Sequence, residues 1–216
     1  MLKPDTEQVM QVYRKRARNY DFSTWFYNLI GFRINYYRRF MVDALELKEG
    51  DTVVDLCCGT GLNFPLLRDY VGESGKIIGV DLSQDMLKQA EKRILDNNWS
   101  NIELVVSDAT SYQFPKGLNG LVSSYAITLV PKYDIAIKNG SGALDKGARF
   151  AILDFKIPDW PMWLIKIAEK TLVRPYAGTL DMAMERNPRK SIQNNLNETS
   201  YKEFYFGSVY LTVGEK

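Results

Sequence analysis

Apolar runs and amphipathic segments alternate along the chain from about residue 52 onwards. Short apolar runs of strand-forming residues predict five strands, at 52–57, 76–81, 102–107, 120–127 and 147–155. Between them, apolar positions three or four residues apart predict three helices, at 61–71, 83–97 and 131–142. This alternation predicts an α/β protein whose mostly parallel sheet is covered by helices on both faces.

The segment before the first strand contains no strand-like run. Its apolar spacing predicts three helices, at 5–19, 25–30 and 32–46. Its first 41 residues carry eight Lys and Arg against three Asp and Glu, and they are rich in aromatic side chains. We therefore expect residues 1–46 to form a basic helical cap over the site of the domain that follows.

The end of the chain departs from the alternating pattern. Residues 157–199 show no strand pattern and hold two of the four tryptophans. Residues 201–206 and 209–214 then alternate around a Gly-Ser pair, which predicts an antiparallel hairpin. The expected α/β domain is thus 47–216, with an insertion at about 157–199 that covers the substrate.

Composition narrows the class of protein. The chain has 216 residues, 45% of them apolar, which fits one globular domain. The net charge of +2 is too small to indicate a nucleic-acid partner. The absence of histidine excludes His-based catalysis and most zinc sites, so no metal is expected.

The adjacent pair Cys57-Cys58 fits a reducing compartment. Since neither a signal peptide nor a membrane-spanning run is recognisable, we expect a cytoplasmic protein.

The most informative stretch is the first predicted strand with the turn after it. Its apolar run ends at Asp55, and Gly59 and Gly61 follow before a helix-like segment. A strand, a glycine turn and a helix in this order let the backbone approach a nucleotide-like ligand closely. Twenty residues after Gly61, a second apolar run ends at Asp81, from where a carboxylate can accept both hydroxyls of a ribose.

Two cofactors are compatible with that stretch, a dinucleotide and S-adenosylmethionine. The dinucleotide fingerprint requires a third glycine three residues after the second, and Phe64 stands there instead. The third and fourth strands are expected to end near Asp108-Ala109 and Ser124-Tyr125, at the same edge of the sheet. There Asp108 can accept the amino hydrogen of an adenine while a backbone N–H meets a ring nitrogen.

From about Tyr20 to Phe155, the chain resembles the class I S-adenosylmethionine-dependent methyltransferases, above all the ubiquinone/menaquinone C-methyltransferases and the phospholipid N-methyltransferases. The matching motifs are Tyr20-Asp21, Asp-Leu-Cys-Cys-Gly-Thr-Gly at 55–61, Gly-Val-Asp-Leu-Ser at 79–83 with Met86-Leu87, Leu-Val-Pro at 129–131, Leu-Asp-Phe at 153–155 and the closing Gly-Ser-Val-Tyr-Leu-Thr-Val-Gly-Glu-Lys. The resemblance implies a Rossmann-like sheet of seven strands that ends in an antiparallel hairpin. Cys57 departs from the glycine that is usual in the family, and 157–199 departs from the pattern of the quinone enzymes.

The resemblance also implies how S-adenosylmethionine is held. The glycine turn is expected to face the methionine part with Asp55 near its ammonium, while Asp81 takes the ribose and Asp108 the adenine. The expected cofactor-binding residues are Tyr20, Asp55, Cys57, Gly59, Thr60, Gly61, Asp81, Leu82, Met86, Asp108, Ala109 and Ser124.

Methyl transfer from a sulfonium is an in-line displacement, which depends mainly on alignment and on exclusion of water. Because the chain has no histidine, a general base must be Asp, Glu, Tyr, Lys or water. The candidates at the ends of the fourth and fifth strands are Tyr125 and Asp154, and we expect these two to be catalytic.

The methyl acceptor is expected to be small and lipophilic or amphiphilic. The apolar segment around Trp160, Trp163 and Ile167 predicts either a lid over the site or a surface that touches a membrane transiently. The departure at 157–199 favours N-methylation of an amine or phospholipid head group over the alternative, C-methylation of a demethylated quinone. A regulatory protein that binds the cofactor without catalysis is the alternative from another class.

Overall fold

A computed structural model describes residues 33–158, 160–161, 163, 167 and 185–216. The helices expected at 5–19 and 25–30, the candidate Tyr20, and most of the expected insertion lie outside these residues. No helix in the described ranges is long and apolar enough to cross a bilayer.

Seven strands form one sheet in the described part of the chain. They are β1 (Thr52–Leu56), β2 (Lys76–Asp81), β3 (Ile102–Val106), β4 (Leu118–Ser124), β5 (Leu144–Phe155), β6 (Asn197–Phe204) and β7 (Val209–Glu215). Their spatial order is β3-β2-β1-β4-β5-β7-β6. The first five pair in parallel, and β7 runs antiparallel to both β5 and β6. This topology confirms the expected α/β sheet with its closing antiparallel hairpin.

Within the described ranges, five helices pack on the sheet, together with one turn of 3₁₀ helix at Ile127–Leu129. They are α1 (Ile34–Asp43), α2 (Phe64–Val71), α3 (Gln84–Asp96), α4 (Tyr133–Ala143) and α5 (Pro188–Asn195). Helix α3 begins as the sequence predicts, because the Ser83 Oγ caps it by accepting a hydrogen bond from the backbone N–H of Met86.

The helices divide the hydrophobic core between the two faces of the sheet. Helices α1, α2 and α3 bury Met41, Phe64 and Leu87 on one face, while α4 and α5 bury Ile137 and Ile192 on the other. Full burial of one such side chain stabilises the fold by about 1.5–3 kcal/mol. The two layers therefore keep the strand ends of the sheet in fixed positions.

Several element boundaries differ from the predictions for a local reason. Strand β4 ends at Ser124 rather than at 127, because Tyr125 has a φ of 56° and leaves the extended region. The hairpin turn occupies 205–208, because Tyr205, Phe206 and Gly207 all have positive φ. Helix α5 was not predicted at all, and it begins with Pro188 in its first turn.

Candidate active site

A cavity opens at the carboxyl ends of the central strands, where the strand order reverses between β1 and β4. Its empty volume is about 940 Å³ with its open mouth included. Ten of the residues expected to bind cofactor or acceptor line it, namely Cys57, Gly59, Thr60, Asp81, Leu82, Met86, Asp108, Ala109, Ser124 and Tyr125. The topology thus brings together side chains from four strand ends.

Three expected site residues do not line the cavity. Asp55 lies under the glycine turn, Gly61 is a buried member of that turn, and Asp154 lies under the turn that follows β4. Asp55 and Asp154 are almost completely buried, so either can act on a ligand only through the residues above it or through an opening of the site.

The two glycines of the turn have different roles. Gly59 has a φ of 56°, and a Cβ placed there would have no atom within 4 Å, so this glycine leaves open space. At Gly61, with a φ of 74°, a Cβ would lie 2.4 Å from the Phe64 ring, which is completely buried. Gly61 therefore serves the packing of α2. Cys57 also has a left-handed φ, 60°, which gives a physical reason for the glycine that is usual in the family.

Asp81 connects the glycine turn to the start of α3. Its Oδ2 accepts a hydrogen bond from the backbone N–H of Gly59, and its Oδ1 accepts one from Ser83, each at 2.8 Å. Burial raises the pKa of this carboxyl, and backbone hydrogen bonds from Ser83, Gly59 and Leu82 oppose the rise. Three of the about four lone-pair sites of the carboxylate are thus used, so it can accept one further donor from the cavity.

Asp108 is fixed by the turn that follows β3. Its Oδ1 accepts hydrogen bonds from the backbone N–H of Thr110 at 2.7 Å and from the Thr110 hydroxyl at 2.6 Å. These bonds hold the carboxylate at the cavity wall, beside Ala109.

A buried polar network lies under the other end of the cavity, and sequence reasoning missed two of its members, Arg38 and Asn63. Asn63 donates to Oδ1 of Asp55 at 3.0 Å and to the Ser124 hydroxyl at 3.1 Å. Arg38, from α1, donates through Nη1 to Asn63 Oδ1 and to Ser124 Oγ, each at 2.6 Å. Because Arg38 and Ser124 are 86 residues apart, no local sequence signal could have connected them.

Burial of Asp55 raises its pKa to about 7, although Asn63 and the nearby positive charge of Arg38 lower it. Its Oδ2 has no hydrogen-bond partner. The carboxyl is therefore divided between its protonated and ionised forms near neutral pH.

The two expected catalytic residues differ in position. Tyr125 lines the cavity with its ring centroid 5.1 Å from that of Phe155, and the Arg38 guanidinium carbon lies 5.2 Å from the same ring centroid. Asp154 instead accepts from the Thr128 backbone N–H at 2.9 Å and from the Thr128 hydroxyl at 2.8 Å. Burial raises its pKa to about 6, and these hydrogen bonds oppose the rise.

The wall beside Tyr125 is apolar. It is built by Ala126, Leu129, Val130 and Pro131, from the 3₁₀ turn and the residues around it. The cavity thus has a polar side near β2 and β3, where Asp81 and Asp108 lie, and an apolar side after β4.

The chain matches a known family and several known proteins. The ubiE/COQ5 methyltransferase family matches residues 1–193. A demethylmenaquinone methyltransferase of Staphylococcus carnosus is 31% identical over 163 residues, which are 74% of this chain and 66% of that protein. A 2-phytyl-1,4-naphtoquinone methyltransferase of Thermosynechococcus vestitus is 35% identical over 123 residues, 56% of this chain and 54% of that protein.

Solved structures agree with the observed fold. A SAM-dependent methyltransferase from Aquifex aeolicus superposes with a TM-score of 0.60 at 17% identity, over 84% of this chain and 91% of that one. The topology is therefore that of a methyltransferase fold.

Proposed function

The chain belongs to the ubiE/COQ5 methyltransferase family, and from this premise we propose that it methylates a ring carbon of a demethylated quinone in its reduced, quinol form. The proposal rests on the two quinone-methylating relatives, whose names indicate acceptors of this class. These relatives support C-methylation of a quinone better than N-methylation of an amine or phospholipid, which the departure at 157–199 favours. The chain spans about two thirds of one relative and about half of the other, so the acceptor is inferred by likeness.

S-adenosylmethionine is the cofactor, and the residues present fit it. Gly59 leaves room for close approach, Asp81 can accept one further donor such as a ribose hydroxyl, and Asp108 is held at the cavity wall, which suits contact with an adenine. When bound, this cofactor supplies an electrophilic methyl group.

The apolar side of the cavity supports a ring acceptor. Among the described lining residues, the carboxylates are Asp81 and Asp108, both on the cofactor side. Around Tyr125 the described lining holds Ala126, Leu129 and Val130, and the charged group near its ring is the Arg38 guanidinium, which would repel an ammonium group. An uncharged aromatic ring loses little hydration against such a wall, whereas a cationic head group would lose much.

The proposed reaction requires the protein mainly to align the ring carbon with the methyl group and to control the proton of the neighbouring hydroxyl. The ring carbon would take up the methyl group of bound S-adenosylmethionine and give up its proton to solvent, and the electron pair of the broken S–C bond would stay on sulfur. Ionisation of the neighbouring hydroxyl makes the ring carbon a stronger nucleophile. We propose that Tyr125 contacts this hydroxyl. Asp154 then acts indirectly, because its hydrogen bonds to Thr128 hold the 3₁₀ turn after β4 in place.

A lipophilic acceptor also suggests contact with a membrane surface. Trp163 is 63% exposed and Ile167 is 56% exposed. An exposed apolar pair of this kind supports peripheral, reversible contact with lipid.

The experiment that tests the acceptor compares substrates with labelled S-adenosylmethionine. We expect the purified chain to transfer label to a short-chain demethylated naphthoquinol, and only weakly to phosphatidylethanolamine or small amines. Tyr125→Phe should lower kcat and leave the affinity for S-adenosylhomocysteine unchanged. Transfer to the amine acceptors with none to the quinol would overturn the proposal.

A further inference from the structure

The turn of the closing hairpin places two aromatic residues where other residue types are favoured. The backbone N–H of Gly207 donates to the Phe204 carbonyl at 3.1 Å, so Tyr205 and Phe206 are the two central residues of this turn. Both have positive φ, 46° and 55°. Hairpin turns of this kind favour Asn and Gly, which adopt positive φ easily, whereas bulky side chains do so under strain. Strain of this kind concentrates at positions with a function.

The two aromatic side chains differ in their surroundings. Tyr205 packs at the edge of the hydrophobic core on the α1 face of the sheet. Phe206 is 79% exposed, and its ring contacts that of Tyr205 edge-on, with the centroids 5.6 Å apart. Packing therefore accounts for Tyr205, but it does not account for a phenylalanine at the next position.

The turn lies at the same edge of the sheet as the cavity. Strand β7 runs antiparallel to β5, and Val209 at its start pairs with Phe155 at the end of β5. The turn before β7 therefore projects beyond the carboxyl end of β5. Phe155 is itself 47% exposed, and its ring centroid lies 5.1 Å from that of Tyr125 in the cavity wall. The cavity and the turn thus belong to one side of the molecule.

The chain that follows β5 brings a further exposed aromatic side chain towards this turn. A Cβ at Gly207 would lie 3.8 Å from the Cβ of Pro158, so this part of the chain passes beside the turn. Trp163 is 63% exposed and comes five residues after Pro158, which limits their separation to about 18 Å. The turn therefore continues the surface that includes Trp163.

The charge beside the turn is positive. Lys156 forms a salt bridge with Glu203 at 2.5 Å, so these two charges offset each other. Lys202 adds a second positive charge, and its Nζ lies 4.1 Å from the centroid of the Phe40 ring. Anionic lipids attract lysines close to a bilayer surface, and aromatic side chains are enriched at the level of the head groups. The turn thus has the chemistry of a lipid contact.

We propose that the hairpin turn inserts Phe206 into the surface of a bilayer that contains anionic lipid, with Lys202 at the level of the head groups. This contact brings the carboxyl edge of the sheet, and the cavity with it, to the lipid. The inference rests on the lipophilic acceptor of the proposed function, because such a molecule is held in a bilayer.

Flotation with vesicles tests the inference in the absence of cofactor and acceptor. The vesicles contain phosphatidylcholine with or without phosphatidylglycerol, and we expect the wild type to bind more strongly when phosphatidylglycerol is present. Phe206→Gly removes the ring and suits the positive φ. We expect this variant to lower the partition coefficient about tenfold and to keep or raise the melting temperature.

Three further variants complete the comparison. Phe206→Trp should bind at least as strongly as the wild type. Leu95→Ala is the matched control, because Leu95 is 68% exposed and lies near the end of α3, at the opposite edge of the sheet, so wild-type binding is expected. If Phe206→Gly loosens the hairpin, Phe206→Asn, which also tolerates positive φ, replaces it.

The proposal would be overturned by a wild type that stays off both kinds of vesicle. Wild-type binding by a folded Phe206→Gly or Phe206→Asn would overturn it too, as would an equal loss in Leu95→Ala. Analytical ultracentrifugation without vesicles tests a second copy as the occupant. A dimer that the wild type forms and Phe206→Gly does not would also contradict the proposal.

These outcomes are separate from those of the quinone proposal. Failure to bind vesicles would leave methylation of a short-chain quinol in solution unaffected. Binding as expected, together with no methylation of the quinol, would overturn the proposed acceptor instead.

Discussion

The backbone N–H of Gly59 donates a hydrogen bond to Oδ2 of Asp81 at 2.8 Å, so one carboxylate both fixes the glycine turn and faces the proposed ribose site. The other oxygen of Asp81 accepts from Ser83, at the start of α3. Loss of this carboxylate should therefore disturb the shape of the site as well as remove a ligand contact.

The first prediction concerns Asp81→Asn. An amide has only one acceptor oxygen, and its NH₂ group would face one of the two backbone N–H donors. We expect the affinity for S-adenosylhomocysteine to fall by about 1.5–3 kcal/mol, measured by calorimetry. Asp145→Asn is the control. Unchanged affinity in Asp81→Asn would rule out the ribose assignment.

The second prediction separates the two glycines of the turn. Gly59→Ala and Gly61→Ala both place a side chain at positive φ, so their backbone strain is similar, about 1 kcal/mol. Only Gly61→Ala also drives a Cβ into the Phe64 ring. We expect urea denaturation to show a larger loss of stability for Gly61→Ala, and calorimetry to show the larger specific loss of cofactor affinity for Gly59→Ala. Equal losses of stability in the two variants would contradict this prediction, because they would mean that the Phe64 ring moves away from the new Cβ without destabilising the fold.

The third prediction uses the raised pKa of Asp55. Since the folded-state value of about 7 lies above the unfolded value near 3.8, the folded protein prefers the protonated form. The protonated Asp55 carboxyl therefore contributes stability that is present in full below about pH 4 and is lost as the pH rises through 7. The amide of Asp55→Asn does not ionise, so the variant does not lose stability in this way. The free energy of unfolding of the variant minus that of the wild type should therefore rise between pH 4 and pH 8. The rise is at most about 4 kcal/mol, at 1.36 kcal/mol per pKa unit.

The measurement is urea denaturation of both proteins across that pH range. Asp154, whose pKa is also raised, is present in both proteins, so its contribution cancels from the difference. Asp69→Asn, at an exposed surface position, is the control for the loss of a carboxylate outside the core. A pH-independent difference for Asp55→Asn would contradict the assignment.

The fourth prediction concerns the exposed apolar pair after β5. If Trp163 and Ile167 enter a bilayer surface, the wild type should co-float with phosphatidylglycerol vesicles. The double change to alanine should lower the bound fraction by roughly tenfold or more, given the apolar area removed. Leu95→Ala, at an equally exposed position on α3, is the control. Co-flotation that is unchanged in the double variant would contradict this role.

The strand–turn–helix unit around Asp55 could be predicted because its signals are local. An apolar run, two glycines and a following helix lie within about twenty residues, and Asp81 ends the next strand in the same way. The sheet follows from repetition of that unit. Helix α5 escaped prediction because it is short and mostly polar, with Ile192 as its fully buried hydrophobic residue.

The site was less predictable wherever its residues meet only in the folded chain. Arg38 is one of several basic residues along its segment, and its burial against Ser124 comes from the packing of α1 on the strand ends. Gly61 looked like a ligand position because its spacing matches the motif, but its role depends on the direction of the Phe64 ring. Asp154 stands at a strand end like the other acids, yet the turn after β4 covers it.

The most direct test of the central claim is the position of the transferred methyl group. The chain is incubated with methyl-¹³C-labelled S-adenosylmethionine, a short-chain demethylated naphthoquinol and phosphatidylethanolamine together, and the products are analysed by ¹³C NMR and mass spectrometry. We expect a single labelled product in which the methyl carbon is bonded to a ring carbon of the quinol. A label found on nitrogen of the phospholipid, or on a quinol oxygen, would contradict the proposed function.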